Sequence, residues 1–185
     1  KPWLGAARNF EFNREVQPVL DKYCNSCHAD SKPLNNKHTI AYNGHEIPYF
    51  GGDVMLKNWT TKHHGGDKKN GGKFTVSYFN LFRYTRQGGE ESEMALLTPM
   101  EFHADTSELI AMLEKGHPSK GGVTVQLTKE DMSRITTWID LNRPYYGRWS
   151  ERYGERAVKA ENRRQEMRKR YSGIDENHNY MPKSN

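Results

Sequence analysis

The two cysteines of this 185-residue chain stand three positions apart, and a histidine directly follows the second, in the order Cys24-Asn25-Ser26-Cys27-His28. This C-x-x-C-H spacing is the attachment sequence of c-type haem. Two thiols about one helical turn apart can each form a thioether with one vinyl group of the same porphyrin, and the adjacent histidine then lies beneath the iron. The sequence therefore predicts one haem c, attached through Cys24 and Cys27, with His28 as the proximal ligand.

The sequence gives less support to the two other common functions of a C-x-x-C pair, redox activity and zinc binding. A thioredoxin-like redox pair belongs to a βαβ context, and a zinc site uses a second Cys or His pair at regular spacing. The sequence shows neither pattern. A second metal is left open by four further histidines, although they form no H-x-x-x-H helical pair and such side chains are usually just solvated. These are His38, His45, His63 and His64.

Apolar residues recur at helical spacing in three segments before residue 148. The first is 12–28, where Asn13 is a candidate N-cap and Pro18 predicts an irregular first turn or a later start. The second begins with the capping-box-like Asp105-Thr-Ser-Glu108 and ends at Gly116. The third begins similarly at Thr128 and stops before Pro144.

A long insert, 29–104, is rich in paired glycines and predicts loop rather than regular structure. Its most regular part is 73–84, where Phe74, Val76 and Tyr78 alternate, which favours a short strand or hairpin. The predicted fold is mainly α: a cytochrome c-like haem domain over 1–147 that contains this insert.

The distal ligand is sought in the loop that follows the second predicted helix, because in small cytochromes that loop crosses the distal haem face. The only strong ligand in loop 116–127 is His117, directly after the helix stop at Gly116. Met100 and His103, one short segment upstream, are alternatives, and an open distal position is another. Two imidazoles favour a lower reduction potential than a His/Met pair.

Only 34% of the residues are hydrophobic, yet 11% are aromatic. This combination suits a core that consists partly of a porphyrin. Tyr23, Phe74 and Trp138 are candidates for the walls around the haem. No run of about 18 apolar residues occurs, so no membrane span is predicted.

The net charge of +5 is concentrated in segment 148–170, which holds nine basic and four acidic residues, while the rest of the chain is neutral. Helical spacing of its aromatic and small residues predicts a long basic helix within a C-terminal extension, 148–185. A solvated helix is the ordinary interpretation. A docking surface for an acidic partner is the functional one, whereas nucleic acid is not expected because no base-reading motif accompanies the charge.

Five segments carry a resemblance to a known family. They are FNREVQPVLDKYCNSCHAD, FTVSYFNLFRYTRQGG, SELIAMLEKGH, LTKEDMSRITTWIDLNRPYYG and RRQEMRKRYSGIDEN. The first resembles the opening of mono-haem cytochrome c domains of planctomycete bacteria. Together, over nearly the whole chain, they resemble the C-terminal haem domain of the hydrazine synthase alpha subunit and its relatives.

The resemblance implies a bis-histidine haem c that passes electrons, while the catalytic haem of that family lies in another domain. Cys24, Cys27 and His28 match the attachment and proximal positions. His117 matches the first histidine of the family's frequent Gly-His-His, and Pro118 stands at the second.

The predicted function is therefore electron transfer by a domain that is not an enzyme by itself, working with a redox partner or with other domains of a larger protein. The alternative is a catalytic or gas-binding haem with an open or displaceable distal position. Covalent attachment of haem implies a periplasmic or equivalent exported compartment, with the export signal upstream of this sequence.

Overall fold

A computed structural model describes residues 8–33, 38–56, 74–86 and 99–175 of the chain. This part is mainly helical, with two short antiparallel strand pairs, which confirms the predicted mainly α class. The helices before residue 147 are α1 Phe12–Glu15, α2 Gln17–Tyr23, α3 Asn25–His28, α4 Val76–Phe82, α5 Glu108–Lys115 and α6 Lys129–Asp140. Two more follow, α7 Trp149–Tyr153 and α8 Glu155–Ser172. The strands are β1 Thr39–Tyr42, β2 His45–Pro48, β3 His117–Pro118 and β4 Thr124–Val125.

The N-terminal segment is three short helices rather than the predicted continuous one. The first break is at Val16, and Pro18 lies in the first turn of α2, where its missing N–H costs nothing. The irregular start that the sequence predicted from Pro18 is therefore present. Asn13 is not a cap, since Glu11 holds the N-cap position of α1 without a side-chain hydrogen bond.

The insert contains a β-hairpin, but not where the sequence predicted one. Strands β1 and β2 pair with Tyr42 opposite His45, and Asn43 and Gly44 form the turn at φ 49° and 80°. Both turn residues adopt left-handed backbone angles, as an Asn-Gly hairpin turn requires.

The predicted strand or hairpin over 73–84 is wrong, because this segment forms helix α4. The hydroxyl of Thr75 caps it by accepting the Tyr78 N–H. The buried residues follow helical spacing and override the local alternation. They are Val76, Ser77, Asn80 and Leu81.

Helices α5 and α6 agree closely with expectation. Helix α5 ends at Gly116, whose φ is 83°, and α6 begins with the hydroxyl of Thr128 accepting the Asp131 N–H. Asp105 is not the cap of α5, because a short 3₁₀ turn, Ala104–Thr106, precedes it and Ser107 holds the N-cap position. Helix α6 ends at Asp140, four residues before Pro144.

The main core is formed where α1, α2, α4, α5 and α6 meet. Phe12 and Trp138 are fully buried, and both rings lie against Tyr78. The Trp138 indole N–H donates to the carbonyl oxygen of Pro144 at 3.2 Å, so its one polar group is satisfied.

The C-terminal extension is two helices, because Gly154, at φ 62° and ψ −145°, separates α7 from α8. In α8 only Ala157 is buried, while Trp149 and Tyr171 are 65% and 77% exposed, so the aromatic and small residues at helical spacing do not form a buried face. Among the described residues, no helix combines the length and the apolar character needed to cross a membrane.

Candidate functional site

A cavity of about 510 Å³ lies beside the C-x-x-C-H segment. Its inner wall is apolar and comes mainly from α2 and α5, which include Leu20 and Leu113, while α4 and α6 add Leu81 and Ile135. The turn of the β1–β2 hairpin and residues 117–122 complete its lining. A volume of this size and an apolar wall with few polar groups are typical of cofactor sites.

Both thiols line this cavity from one turn of chain. Cys24 separates α2 from α3, and its carbonyl oxygen accepts the backbone N–H groups of Cys27 and His28. The two cysteines are not joined in a disulfide. Burial, with smaller contributions from Cys27 and Asp21, raises the pKa of the Cys24 thiol to about 12. A redox-active C-x-x-C relies on a lowered thiol pKa, and the shift at Cys24 is in the opposite direction.

The His28 imidazole is held by the segment that leaves strand β2. Its Nδ1–H donates to the carbonyl oxygen of Pro48 at 2.7 Å, since a carbonyl can only accept. The Phe50 N–H donates to the carbonyl oxygen of His28 at 3.0 Å, and the Phe50 ring lies 4.8 Å from the imidazole. This arrangement leaves the Nε2 lone pair available as a metal ligand.

The charge state of His28 also suits ligation. Burial lowers the pKa of the imidazole, the hydrogen bond to Pro48 opposes this, and nearby His117 lowers the pKa further. The net direction is down, so the ring is neutral at physiological pH, which is the form that binds a metal.

His117 lines the same cavity, and its ring centroid lies 6.0 Å from that of His28, with the ring planes inclined by 53°. It occupies strand β3, opposite Val125 of β4. Gly116 directs the chain into this strand with φ 83°, and a Cβ at Gly116 would lie 2.3 Å from Cγ2 of Thr124. The helix stop therefore needs glycine both for its backbone angle and for close packing.

The spacing of the two imidazoles can be compared with what one metal ion requires. A metal–imidazole bond is about 2.0–2.1 Å long, and the ligating nitrogen lies about 1.1 Å from its ring centre, so two imidazoles on opposite sides of one ion have ring centres about 6.3 Å apart. The observed 6.0 Å is close to this value. The cavity and the adjacent thiols Cys24 and Cys27 suit the porphyrin that the C-x-x-C-H motif attaches, so these residues fit a c-type haem.

The two alternative distal ligands lie elsewhere. Neither Met100 nor His103 lines the cavity, and Met100 is 59% exposed. The Nδ1 atom of His103 is 3.5 Å from a carboxylate oxygen of Asp140, at the end of α6. His117 is therefore the candidate that the structure brings to His28.

Of the three residues predicted to pack against the haem, the structure brings only one to the cavity. Tyr23 lines the cavity, and its hydroxyl donates to Asp131 at 2.8 Å, which ties α2 to the start of α6. Phe74 and Trp138 do not line it. Phe74 packs on Tyr78 and Tyr145, and Trp138 lies in the main core, so their assignment to the haem wall is corrected.

Of the histidines considered for a second metal, His63 and His64 lie outside the described residues. His45 lines the cavity, whereas the His38 ring lies against Phe79. No group of three or more His, Cys, Asp or Glu side chains with metal-site spacing occurs within the described ranges.

Sequence reasoning missed the hairpin and the segment after it, which supply Pro48 and Phe50 to His28. The Asn43-Gly44 pair between two short apolar segments is a strong hairpin signal and would have located this element. Nothing local in the sequence marks Phe50 as a neighbour of the histidine.

No family model, curated protein or solved structure matches the chain.

Proposed function

We propose that this chain is a c-type cytochrome domain that transfers electrons through one covalently bound haem, with His28 and His117 as axial ligands. The observation that carries the proposal is the pair of imidazoles 6.0 Å apart in one cavity that also contains both thiols of a C-x-x-C-H motif. The sequence resemblance to the C-terminal haem domain of the hydrazine synthase alpha subunit supports the same function.

Each residue of the site has a separate task in this proposal. Cys24 and Cys27 would hold the porphyrin by thioethers, and His28 and His117 would ligate the iron. A haem iron supplies a one-electron redox centre. With both axial positions filled by strong ligands, no substrate reaches the iron, so the domain passes electrons and is not an enzyme by itself.

The apolar cavity wall limits the access of water to the redox centre, and burial of this kind is one of the factors that set a reduction potential. The hydrogen bond from His28 to Pro48 increases the basicity of the proximal ligand. Haem attachment places the domain in an exported compartment such as the periplasm.

A displaceable distal ligand is the second candidate, and it rests on the short element that carries His117. Strand β3 has only two residues and pairs with β4 at these two positions. A gas-binding or catalytic haem with a displaceable ligand requires this short strand to move.

The absorption spectra of the ferric and ferrous chain, the latter with and without carbon monoxide, separate the two functions. A six-coordinate low-spin spectrum that carbon monoxide leaves unchanged supports electron transfer. A carbon monoxide complex supports the displaceable site. A chain exported in a haem-maturing host that carries no covalent haem refutes both.

The partner in this proposal is the acidic surface of a redox protein, or of another domain of a larger protein, and it docks on the C-terminal helices. Most residues of α8 are exposed, and its net charge is strongly positive. The Trp149 and Tyr153 rings of α7 have centroids 4.2 Å apart with planes inclined by 34°, and they are 65% and 51% exposed; Arg152 lies over the Tyr153 ring. Exposed aromatic and arginine side chains are enriched in protein interfaces.

A further inference from the structure

The segment Pro48–Phe50 is held by hydrogen bonds at each of its three carbonyl groups, and each donor is a side chain. His28 donates to Pro48, Asn80 to Tyr49 at 2.8 Å, and Gln17 to Phe50 at 2.9 Å. The backbone N–H groups of Tyr49 and Phe50 are also paired, with the carbonyls of His38 and His28. The backbone that holds the proximal histidine is thus itself fixed from two helices.

The two amides, Gln17 of α2 and Asn80 of α4, are called here the amide clamp. Both are buried, at 6% and 2% exposure. A buried amide is costly unless its hydrogen bonds are made, so its presence indicates a specific structural need. An apolar residue of similar size would pack equally well but would leave the carbonyls of Tyr49 and Phe50 unpaired.

A third buried group fixes the orientation of the Gln17 amide. The Ser77 hydroxyl donates to Gln17 Oε1 at 2.7 Å and contacts the Thr75 hydroxyl at 2.9 Å. The Gln17 NH₂ group donates to the Asp21 carboxylate at 2.8 Å as well as to Phe50. Because the Asp21 carboxylate and the Phe50 carbonyl can only accept, a flipped amide would turn its oxygen toward both and lose both hydrogen bonds.

The Gln17 side chain packs directly against the backbone of Gly52, where no Cβ is present. A Cβ at Gly52 would lie 2.9 Å from Cγ and Cδ of Gln17. Since hydrogen bonds hold the amide at both ends, it cannot move aside without losing one of them. Gly52→Ala therefore displaces the clamp without removing any polar group.

We propose that the amide clamp positions the proximal ligand: by fixing Pro48–Phe50, Gln17 and Asn80 set the rotation of the His28 ring about its bond to the metal. The proposal rests on the haem function proposed above. Neither amide touches the cofactor cavity, so both act through the Pro48 carbonyl and the Phe50 ring, which contact His28. The orientation of an axial imidazole determines how unpaired spin is distributed over a ferric haem, which makes the effect measurable.

The experiment compares the haem-loaded chain with the near-isosteric variants Gln17→Met and Asn80→Leu. The readouts are the paramagnetically shifted haem-methyl resonances of the ferric form and the reduction potential. The matched control is Ile139→Val, a core change that lowers thermal stability but lies outside the cavity lining and the clamp. We expect altered methyl shifts and a shifted potential in both clamp variants, and values of the unsubstituted chain in the control.

If Gln17→Met and Asn80→Leu do not fold, two milder variants test the same proposal. Ser77→Ala removes the hydroxyl that orients Gln17, and Gly52→Ala presses on its side chain; both should change the same resonances. Methyl shifts identical to those of the unsubstituted chain in every variant that folds would overturn the clamp and leave the haem function intact. Absence of covalent haem from the unsubstituted chain would overturn both.

Discussion

The imidazole rings of His28 and His117 lie with their centroids 6.0 Å apart, although the two residues are 89 positions apart in the chain. They approach from different elements, α3 and β3, and Pro48 fixes only the first by a hydrogen bond. The two proposed ligands are therefore held by different contacts, and each can be tested separately.

Removing the distal imidazole should change the spin state but not the attachment of the haem. His117→Ala leaves Cys24 and Cys27 in place, so we expect a covalent haem that is high-spin and binds carbon monoxide when reduced. Absorption spectra of both oxidation states measure this.

His103→Ala is the matched control for that variant, because His103 lies outside the cavity beside Asp140. Its spectrum should equal that of the unsubstituted chain. A low-spin spectrum in His117→Ala together with a changed one in His103→Ala or Met100→Leu would reverse the ligand assignment.

Loss of either thiol should reduce covalent attachment, since one of two thioethers is removed. Cys24→Ala and Cys27→Ala should yield much less covalent haem, measured by intact mass and by haem staining on denaturing gels. Ser26→Ala, an exposed position between the two cysteines, should mature normally. Equal haem content in all three variants would argue against the attachment chemistry.

Gly116→Ala should impair the distal side more than other glycine substitutions. The backbone angle alone costs on the order of 1–3 kcal/mol, and the contact with Thr124 adds to it. With about 2–4 °C per kcal/mol for a chain of this size, the melting temperature should fall by several degrees. The spectrum should also change, because His117 is the next residue.

The control for this variant is Gly173→Ala, which shares a positive φ of 68° but has no atom within 4 Å of the added Cβ. It should cost about 1–2 kcal/mol from the backbone alone and leave the spectrum unchanged. If the two variants lost stability equally and kept the same spectrum, the packing of Gly116 on Thr124 would not matter for the ligand.

Acid should remove the contribution of Asp131 to stability. Burial alone would raise the pKa of this carboxyl, but hydrogen bonds from Lys22, Thr128 and Tyr23 outweigh it and lower the pKa below its usual 3.8. A carboxylate with a depressed pKa stabilises the fold above the unfolded-state value and loses that effect as pH falls through the folded-state value.

The measurement is the melting temperature of Asp131→Asn against pH. We expect the variant to melt below the unsubstituted chain at pH 7, and the difference to shrink as the pH falls below about 4. A difference that is constant with pH would mean that the interaction is not electrostatic.

Charge reversal on α8 should weaken binding to acidic surfaces. Arg156→Glu combined with Arg163→Glu places the new charges seven positions apart on one exposed side of α8. Binding to poly-L-glutamate, measured by calorimetry at low and high salt, should fall several-fold and lose its salt dependence. Lys115→Glu combined with Lys129→Glu makes the same charge change elsewhere and should have a smaller effect. Equal losses in the two double variants would show net charge, not α8, to be responsible.

The parts of the fold that the sequence predicted well are those with strong local signals. Gly116 stops α5, Thr128 caps α6, and the C-x-x-C-H motif brings two thiols and an imidazole onto one turn. Each of these depends on residues within a few positions of one another, which is the range over which capping and spacing act.

The errors have a common physical cause in tertiary packing. Phe74, Val76 and Tyr78 alternate, but contacts with distant parts of the chain bury the helical face of α4 instead. Gln17 and Asn80 are ordinary polar residues in the sequence, and their function depends on Pro48–Phe50, which lies more than 25 positions from either. Only the folded chain brings these groups together.

The unequal sequence separation of the site residues has a consequence for the order of assembly. Thioether attachment involves Cys24 and Cys27, which are three positions apart, so it requires no tertiary structure, whereas joining His28 to His117 closes a loop of 89 residues. In the chain-entropy treatment of a cross-link, closing so long a loop removes about 4–5 kcal/mol of freedom from the unfolded chain. In the proposed haem protein, the haem can therefore be attached first, while the chain is still extended. Ligation by His117 then follows only when the fold is complete.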